Sequence, residues 1–119
     1  MNTITTGAYG EDLCANHLIK KGFSLITKNY RFGKFEVDII AQHEEKIVFI
    51  EVKYRVDDAL MAPWQAVNRK KQRQIIRVAN HYIEQKAIDL EARFDVVSIV
   101  GSSKGIRIEH IEDAFYPIA

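Results

Sequence analysis

Residues 35–55 read FEVDIIAQHEEKIVFIEVKYR. Phe35, Val37, Ile39 and Ala41 alternate with Glu36, Asp38, Ile40 and Gln42. After a polar break, Ile47, Phe49, Glu51 and Lys53 alternate with Val48, Ile50, Val52 and Tyr54. Period-2 alternation rich in β-branched and aromatic residues marks strands, here over 35–42 and 46–54. Residues 47–50 are apolar on both faces, which predicts a central strand covered on both sides. A turn centred between Glu44 and Glu45 sets Asp38 opposite Glu51 and Glu36 opposite Lys53, all on one face. Opposed carboxylates repel across a Cβ separation of about 5 Å. A divalent cation or a nearby ammonium removes that repulsion, so the hairpin has the makings of half a metal site with oxygen ligands suited to Mg²⁺ or Mn²⁺. A register slip of one residue would send one strand's charges to the other face.

Upstream, Thr5 or Thr6 is the expected cap of a helix over 7–21 that stops at Gly22. Helical spacing gives it an inward stripe of Gly7, Ala8, Glu11, Cys14, Ala15 and Leu18. Glu11 on that stripe either snorkels to water or is a third carboxylate aimed at the hairpin. A first strand covers 23–32, and Gly33 and Lys34 turn the chain into the hairpin. Arg31 in this region either meets a phosphate or is simply solvated.

Downstream, Pro63 marks a loop or helix start. Trp64 reads as a core plug, with a base-stacking platform as the alternative. Gln65 is either a ligand contact or ordinary surface. The spacing predicts a helix over 69–86 with an apolar stripe of Ile75, Ile76, Ala79, Tyr82 and Ile83. No acidic residue falls between Asp58 and Glu84, whereas Arg69, Lys70, Lys71, Arg73 and Arg77 all do. Lys70, Arg73 and Arg77 form a stripe without i,i+4 acidic partners, which favours a surface facing a polyanion. A strand over 94–100, a turn-rich loop, a short edge strand over 106–110 and a closing turn over 111–116 complete the chain.

With 119 residues the chain suits one domain, and its 47% apolar and 28% charged composition is that of a soluble globular protein. Net charge is only +1, so the basic cluster, not a global field, carries the polyanion signal. One cysteine permits no internal disulfide and fits a reducing, cytoplasmic setting. No signal-peptide pattern or membrane span is apparent. His17, His43, His81 and His110 lack zinc spacing, Cys14 has no neighbouring base, and there is no glycine-rich phosphate loop.

Asp38 followed by Glu51-Val52-Lys53 supplies the parts phosphodiester hydrolysis needs, two acids for a metal and an ammonium for developing charge. The arrangement resembles the PD-(D/E)xK nuclease superfamily. More closely it resembles the YraN-like family of small bacterial proteins, which is similar to archaeal Holliday junction resolvases. The resemblance runs through Gly10-Glu11, residues 29–31 (NYR), 36–38 (EVD) and 48–55 (VFIEVKYR). It continues in the basic start at 69–71, Arg93-Phe94-Asp95 and residues 113–115 (DAF). It implies a restriction-endonuclease-like α/β fold, a three-layer core whose mixed sheet is flanked by helices, in one domain over 1–119. It also implies that Asp38, Glu51 and the Val52 carbonyl ligate Mg²⁺ or Mn²⁺, that Glu11 completes the shell, and that Lys53 positions water or stabilises the transition state. Glu36 is expected to brace the site by pairing with Lys53 or Arg55. Phe35 stands where the family usually has glycine, which narrows the approach of a DNA backbone. The expected activity is Mg²⁺-dependent cleavage of DNA, branched or structured DNA included, by a chain that relatives suggest works as a homodimer. Arg31, Arg55, Gln65, Arg69, Lys70, Lys71, Arg73 and Arg77 are the expected nucleic-acid contacts. The alternatives are a non-catalytic nucleic-acid-binding module and a structural or protein-interaction domain.

Overall fold

The computed structural model describes residues 3–56 and 67–117, and side chains over 10–55 and 67–117. Pro63, Trp64 and Gln65 lie outside these. The elements run α1 (Thr3–Lys20), β1 (Ser24–Phe32), β2 (Phe35–His43), β3 (Lys46–Val56), α2 (Arg69–Lys86), β4 (Glu91–Ser102) and β5 (Gly105–Phe115). The sheet order is β1-β2-β3-β4-β5, antiparallel except for the parallel β3–β4 pair that α2 connects. This mixed α/β sheet with two helices is compatible with a restriction-endonuclease-like core.

The helices cover opposite faces. Ile40, Ile47, Phe49, Phe94 and Val96 pack with Ile75, Val78, Ala79 and Tyr82 of α2. Ile39, Ala41, Val48, Ile50 and Val97 pack with Cys14 and Leu18 of α1. Residues 47–50 alternate between these two cores and are fully buried, as a central strand requires.

Local chemistry sets the boundaries. α1 begins at Thr3, so Thr5 and Thr6 lie inside the helix and neither is its cap. It ends in a Schellman turn: Phe23 N–H donates to Leu18 O, Gly22 N–H donates to Ile19 O, and Gly22 takes φ 91°. Asn68 caps α2 by accepting from Lys71 N–H at 2.9 Å. α2 closes on Ala87 at φ 50°, a conformation that glycine holds more cheaply. β5 is longer than the sequence suggests, and the predicted closing turn is its second half. Asp113 at φ 54° and a register shift opposite residues 94–96 form an irregularity that lets the strand continue to Phe115.

The central hairpin has the expected register. Glu44 and Glu45 have φ 52° and 63°, as a two-residue type I′ turn needs, and His43 pairs with Lys46 and Ile39 with Ile50. His43 is therefore the last strand residue, not part of the turn.

Candidate active site

The β2–β3 ladder ends at the pair Ile39 and Ile50, and Asp38 and Glu51 are the residues that follow on the two strands. Here the alternation of β2 breaks. Ile39 lies in the core under α1, yet Val37, two residues earlier, lies in the core under α2. Across β1, Lys28 pairs with Ile39 and Tyr30 with Val37, and Asn29 between them sits at φ 55°. Asparagine tolerates this left-handed conformation better than most residues. At the break the Asp38 side chain replaces the backbone ladder, its Oδ2 accepting the Val52 N–H at 2.8 Å. The two strands part into a fork, with one carboxylate on each prong.

Glu51 is only 5% exposed. Burial first, then a side-chain hydrogen bond with Asp38 and its charge, push the Glu51 carboxyl up to about 8, against smaller opposing effects of Lys71 and Lys53. A hydrogen bond between two carboxyl groups needs a shared proton, which is how a like-charge pair settles without a cation. Glu51 Oε2 accepts no hydrogen bond, and Lys71 Nζ lies 3.7 Å from it. An orphaned, buried carboxylate oxygen beside a second carboxylate suits a hard divalent cation.

Glu11 is half-buried on α1. Its charge and that of Asp38 act together on Cys14 and Tyr54, which places both acids around one corner. Gly10 makes that corner possible, because a Cβ there would overlap the Tyr54 ring and hydroxyl. Cys14 is fully buried, and burial followed by the Asp38 charge pushes its thiol up to about 12, so it is an inert core residue. Among the described residues no three His, Cys, Asp or Glu side chains are close enough to hold an ion together. The carboxylates that meet are Asp38 and Glu51.

The other expected contacts scatter. Lys53 is half-buried near Glu51. Glu36 does not pair with Lys53 or Arg55: it accepts from Arg31 Nε at 3.2 Å, its neighbour across the β1–β2 pair. Arg55 binds Glu109 at 2.6 Å, drawn there because β5 runs alongside β4 on that side of the sheet. Arg69, Lys70, Arg73 and Arg77 are exposed along α2. Lys71, expected on nucleic acid, instead points its ammonium at Glu51. Phe35 packs against the core under α2 with Lys34 over its ring.

A second cluster, which sequence spacing did not reveal, lies under the C-terminal end of α1. Asp95 is fully buried and accepts from Arg93 Nε and an Arg93 terminal nitrogen, both at 2.9 Å, and from the Asp113 N–H at 3.0 Å. His110 Nε2 lies 2.8 Å from the same carboxylate, and Lys21 Nζ lies 3.0 Å from His110 Nδ1. Burial alone would raise the Asp95 carboxyl, but hydrogen bonds with His110, Arg93 and Asp113 hold it below its ordinary value. His43 stacks on Phe23 at 3.9 Å, and His17 meets His110 edge-on at 5.4 Å. Three of the four histidines thus gather around one aromatic ring or its neighbour.

A family model described as "Uncharacterised protein family UPF0102" matches residues 10–99. The chain belongs to this family. It is the YraN-like family that the hairpin and its flanking motifs resemble. Among its relatives, a UPF0102 protein of Parabacteroides distasonis is 40% identical over 110 residues, covering 92% of this chain and 91% of the relative. One from Phocaeicola vulgatus is 41% identical over 111 residues, covering 93% and 92%. One from Porphyromonas gingivalis is 42% identical over 111 residues, covering 92% and 82%. The UPF0102 match takes in Glu11, Asp38, Glu51, Lys53 and Lys71 alike. No helix among the described residues is long and apolar enough to cross a membrane.

Proposed function

We propose that this UPF0102 chain is a Mg²⁺- or Mn²⁺-dependent endonuclease acting on DNA, branched or structured DNA in particular. The observation that carries the reading is the buried Glu51 carboxyl beside Asp38 at the strand fork, with an oxygen that accepts no hydrogen bond. Asp38 and Glu51 would hold the ion, with the Val52 carbonyl and Glu11 as further donors. When bound, the ion supplies Lewis-acid polarisation of a phosphate oxygen and lowers the pKa of water.

The chain's own residues do the rest. Lys53 and Lys71 bring two ammonium groups to the carboxylates, where they offset charge building on a phosphate. The exposed arginines and Lys70 of α2 extend that positive surface along a nucleic-acid backbone. One observation favours a second reading, a nucleic-acid-binding module without catalysis: among the described residues, Asp38 and Glu51 converge without a third acidic, histidine or cysteine partner at ligating distance.

Calorimetric titration of Mg²⁺ and Mn²⁺ into wild type and Asp38→Asn, followed by cleavage assays on branched, flapped and single-stranded DNA, separates the two. The endonuclease binds metal through Asp38 and cuts at least one substrate, and Asp38→Asn and Glu51→Gln abolish cutting. Salt-dependent DNA binding with no metal uptake and no cleavage establishes the module instead.

A further inference from the structure

We propose that the cleft between the first two turns of α2 and the end of β5 binds an unpaired nucleotide, with Tyr116 against the base and Arg69 and Arg73 on the adjoining phosphate. The cleft has a volume of about 270 Å³ and is lined by Arg69, Gln72, Arg73, Ile76, Tyr116 and Pro117. The four α2 residues fall at i, i+3, i+4 and i+7, one face of the helix. Phe115 is buried and stacked on Phe94 at 5.2 Å, and this anchors the end of β5. The next residue, Tyr116, is 68% exposed, so an aromatic ring is presented to solvent from a fixed base.

The two halves of the cleft differ in chemistry. Ile76, Pro117 and the Tyr116 ring make an apolar wall, and the two guanidinium groups make a cationic one. Neither arginine has an acidic partner among the described residues, unlike Arg31, Arg55 and Arg93. Gln72 is tied back by its Nε2 to the Val67 carbonyl at 3.0 Å, which steadies the floor. A planar ring attached to a phosphate satisfies both walls at once, since every base has a stackable face and arginine matches phosphate geometry. A free inorganic anion leaves the apolar wall bare, and the cleft is too small to admit a duplex. This rests on the nucleic-acid reading above and narrows it to substrates with an unpaired base beside the duplex, such as a flap or a branch.

The test is binding in EDTA, where no metal-dependent cleavage occurs, to a fluorescent short thymidine oligomer and to a blunt duplex. Tyr116→Ala weakens single-strand binding roughly 5- to 100-fold, the range for loss of one stacked base, and leaves duplex binding unchanged. Tyr116→Trp restores single-strand binding. Arg69→Ala with Arg73→Ala weakens it further and flattens its salt dependence. The proposal is overturned if wild type does not bind the oligomer at low salt. It is equally overturned if Tyr116→Ala binds it like wild type, or loses oligomer and duplex by the same factor. Absence of cleavage in Mg²⁺, read separately, refutes the endonuclease and leaves this binding result standing.

Discussion

Replacing Glu51 with glutamine should make the metal-free protein more stable while abolishing its response to metal. In the native state burial and Asp38 raise the Glu51 carboxyl from 4.5 to about 8. An acid whose folded pKa is raised destabilises the native state as pH climbs from its unfolded to its folded value, because the unfolded chain gives up the proton first. At pH 7 roughly 2.5 units of that interval have been crossed, which at about 1.4 kcal/mol per unit sets a ceiling of ~3 kcal/mol. Glutamine carries no charge, keeps an N–H that can donate to Asp38, and leaves Lys53 and Lys71 partly in water. We expect a gain of about 1–3 kcal/mol at pH 7–8, seen as a rise in melting temperature of roughly 3–10 °C. The gap should close toward pH 4.5, where the unfolded glutamate is itself half protonated. Mg²⁺ or Mn²⁺ should then raise the melting point of wild type in a concentration-dependent way and leave the variant unmoved. Thermal melts across pH, with and without metal, decide the matter. If Glu51→Gln melts at or below wild type at pH 8, Glu51 is a structural partner of Lys71. If metal shifts both proteins equally, the ion is held elsewhere.

Asp95→Asn should cost about 3–5 kcal/mol in a denaturant melt, because it strands the buried Arg93 guanidinium. Since the Asp95 carboxyl is held below its ordinary value, its stabilisation should be intact at neutral pH and lost only as an acid titration falls below about pH 4. Gly10→Ala should push Tyr54 out of place and destabilise by roughly 1–3 kcal/mol; Tyr54→Ala in the same chain should recover most of that loss, a non-additivity measurable by a double-mutant cycle. Ala87→Gly should stabilise by about 0.5–1 kcal/mol in equilibrium unfolding, because the αL closure of α2 strains a side chain that glycine lacks.

Residues 35–55 carried most of the fold because their two kinds of information agree. The period-2 pattern named the strands, and a two-residue turn left one register that keeps Ile47–Ile50 buried on both faces. That register alone places Asp38 across from Glu51. What the pattern could not show is the break that turns an opposed pair into a fork. Beside it on the neighbouring strand Asn29 sits at φ 55°, a conformation that asparagine permits but does not dictate. At the break Val37 changes faces although its spacing from Ile39 says otherwise.

Distance along the chain hid the remainder. Lys71 looked like one member of a basic run, and only the return of α2 across the sheet brings it to Glu51. His17, His43 and His110 are far apart in sequence, and the end of α1 lying over β2, β4 and β5 gathers them near Phe23. The second half of β5 read as a turn because Glu112 and Asp113 interrupt its pattern. The buried Asp95 resolves that reading: by accepting the Asp113 N–H it gives the irregular backbone a partner that the ladder does not supply, and the strand runs on to bury Phe115. One carboxylate thus fixes Arg93, His110 and the end of β5, and through Phe115 the position from which Tyr116 projects. Loss of Asp95 is accordingly a loss for the cleft beside α2 as well as for the core, whereas Glu51 can be neutralised without disturbing either. The two buried acids, alike in exposure, differ in their partners: Asp95 is satisfied by three donors and stabilises the fold, whereas Glu51 is buried beside a second carboxylate with an oxygen that accepts no hydrogen bond, and its charge opposes folding.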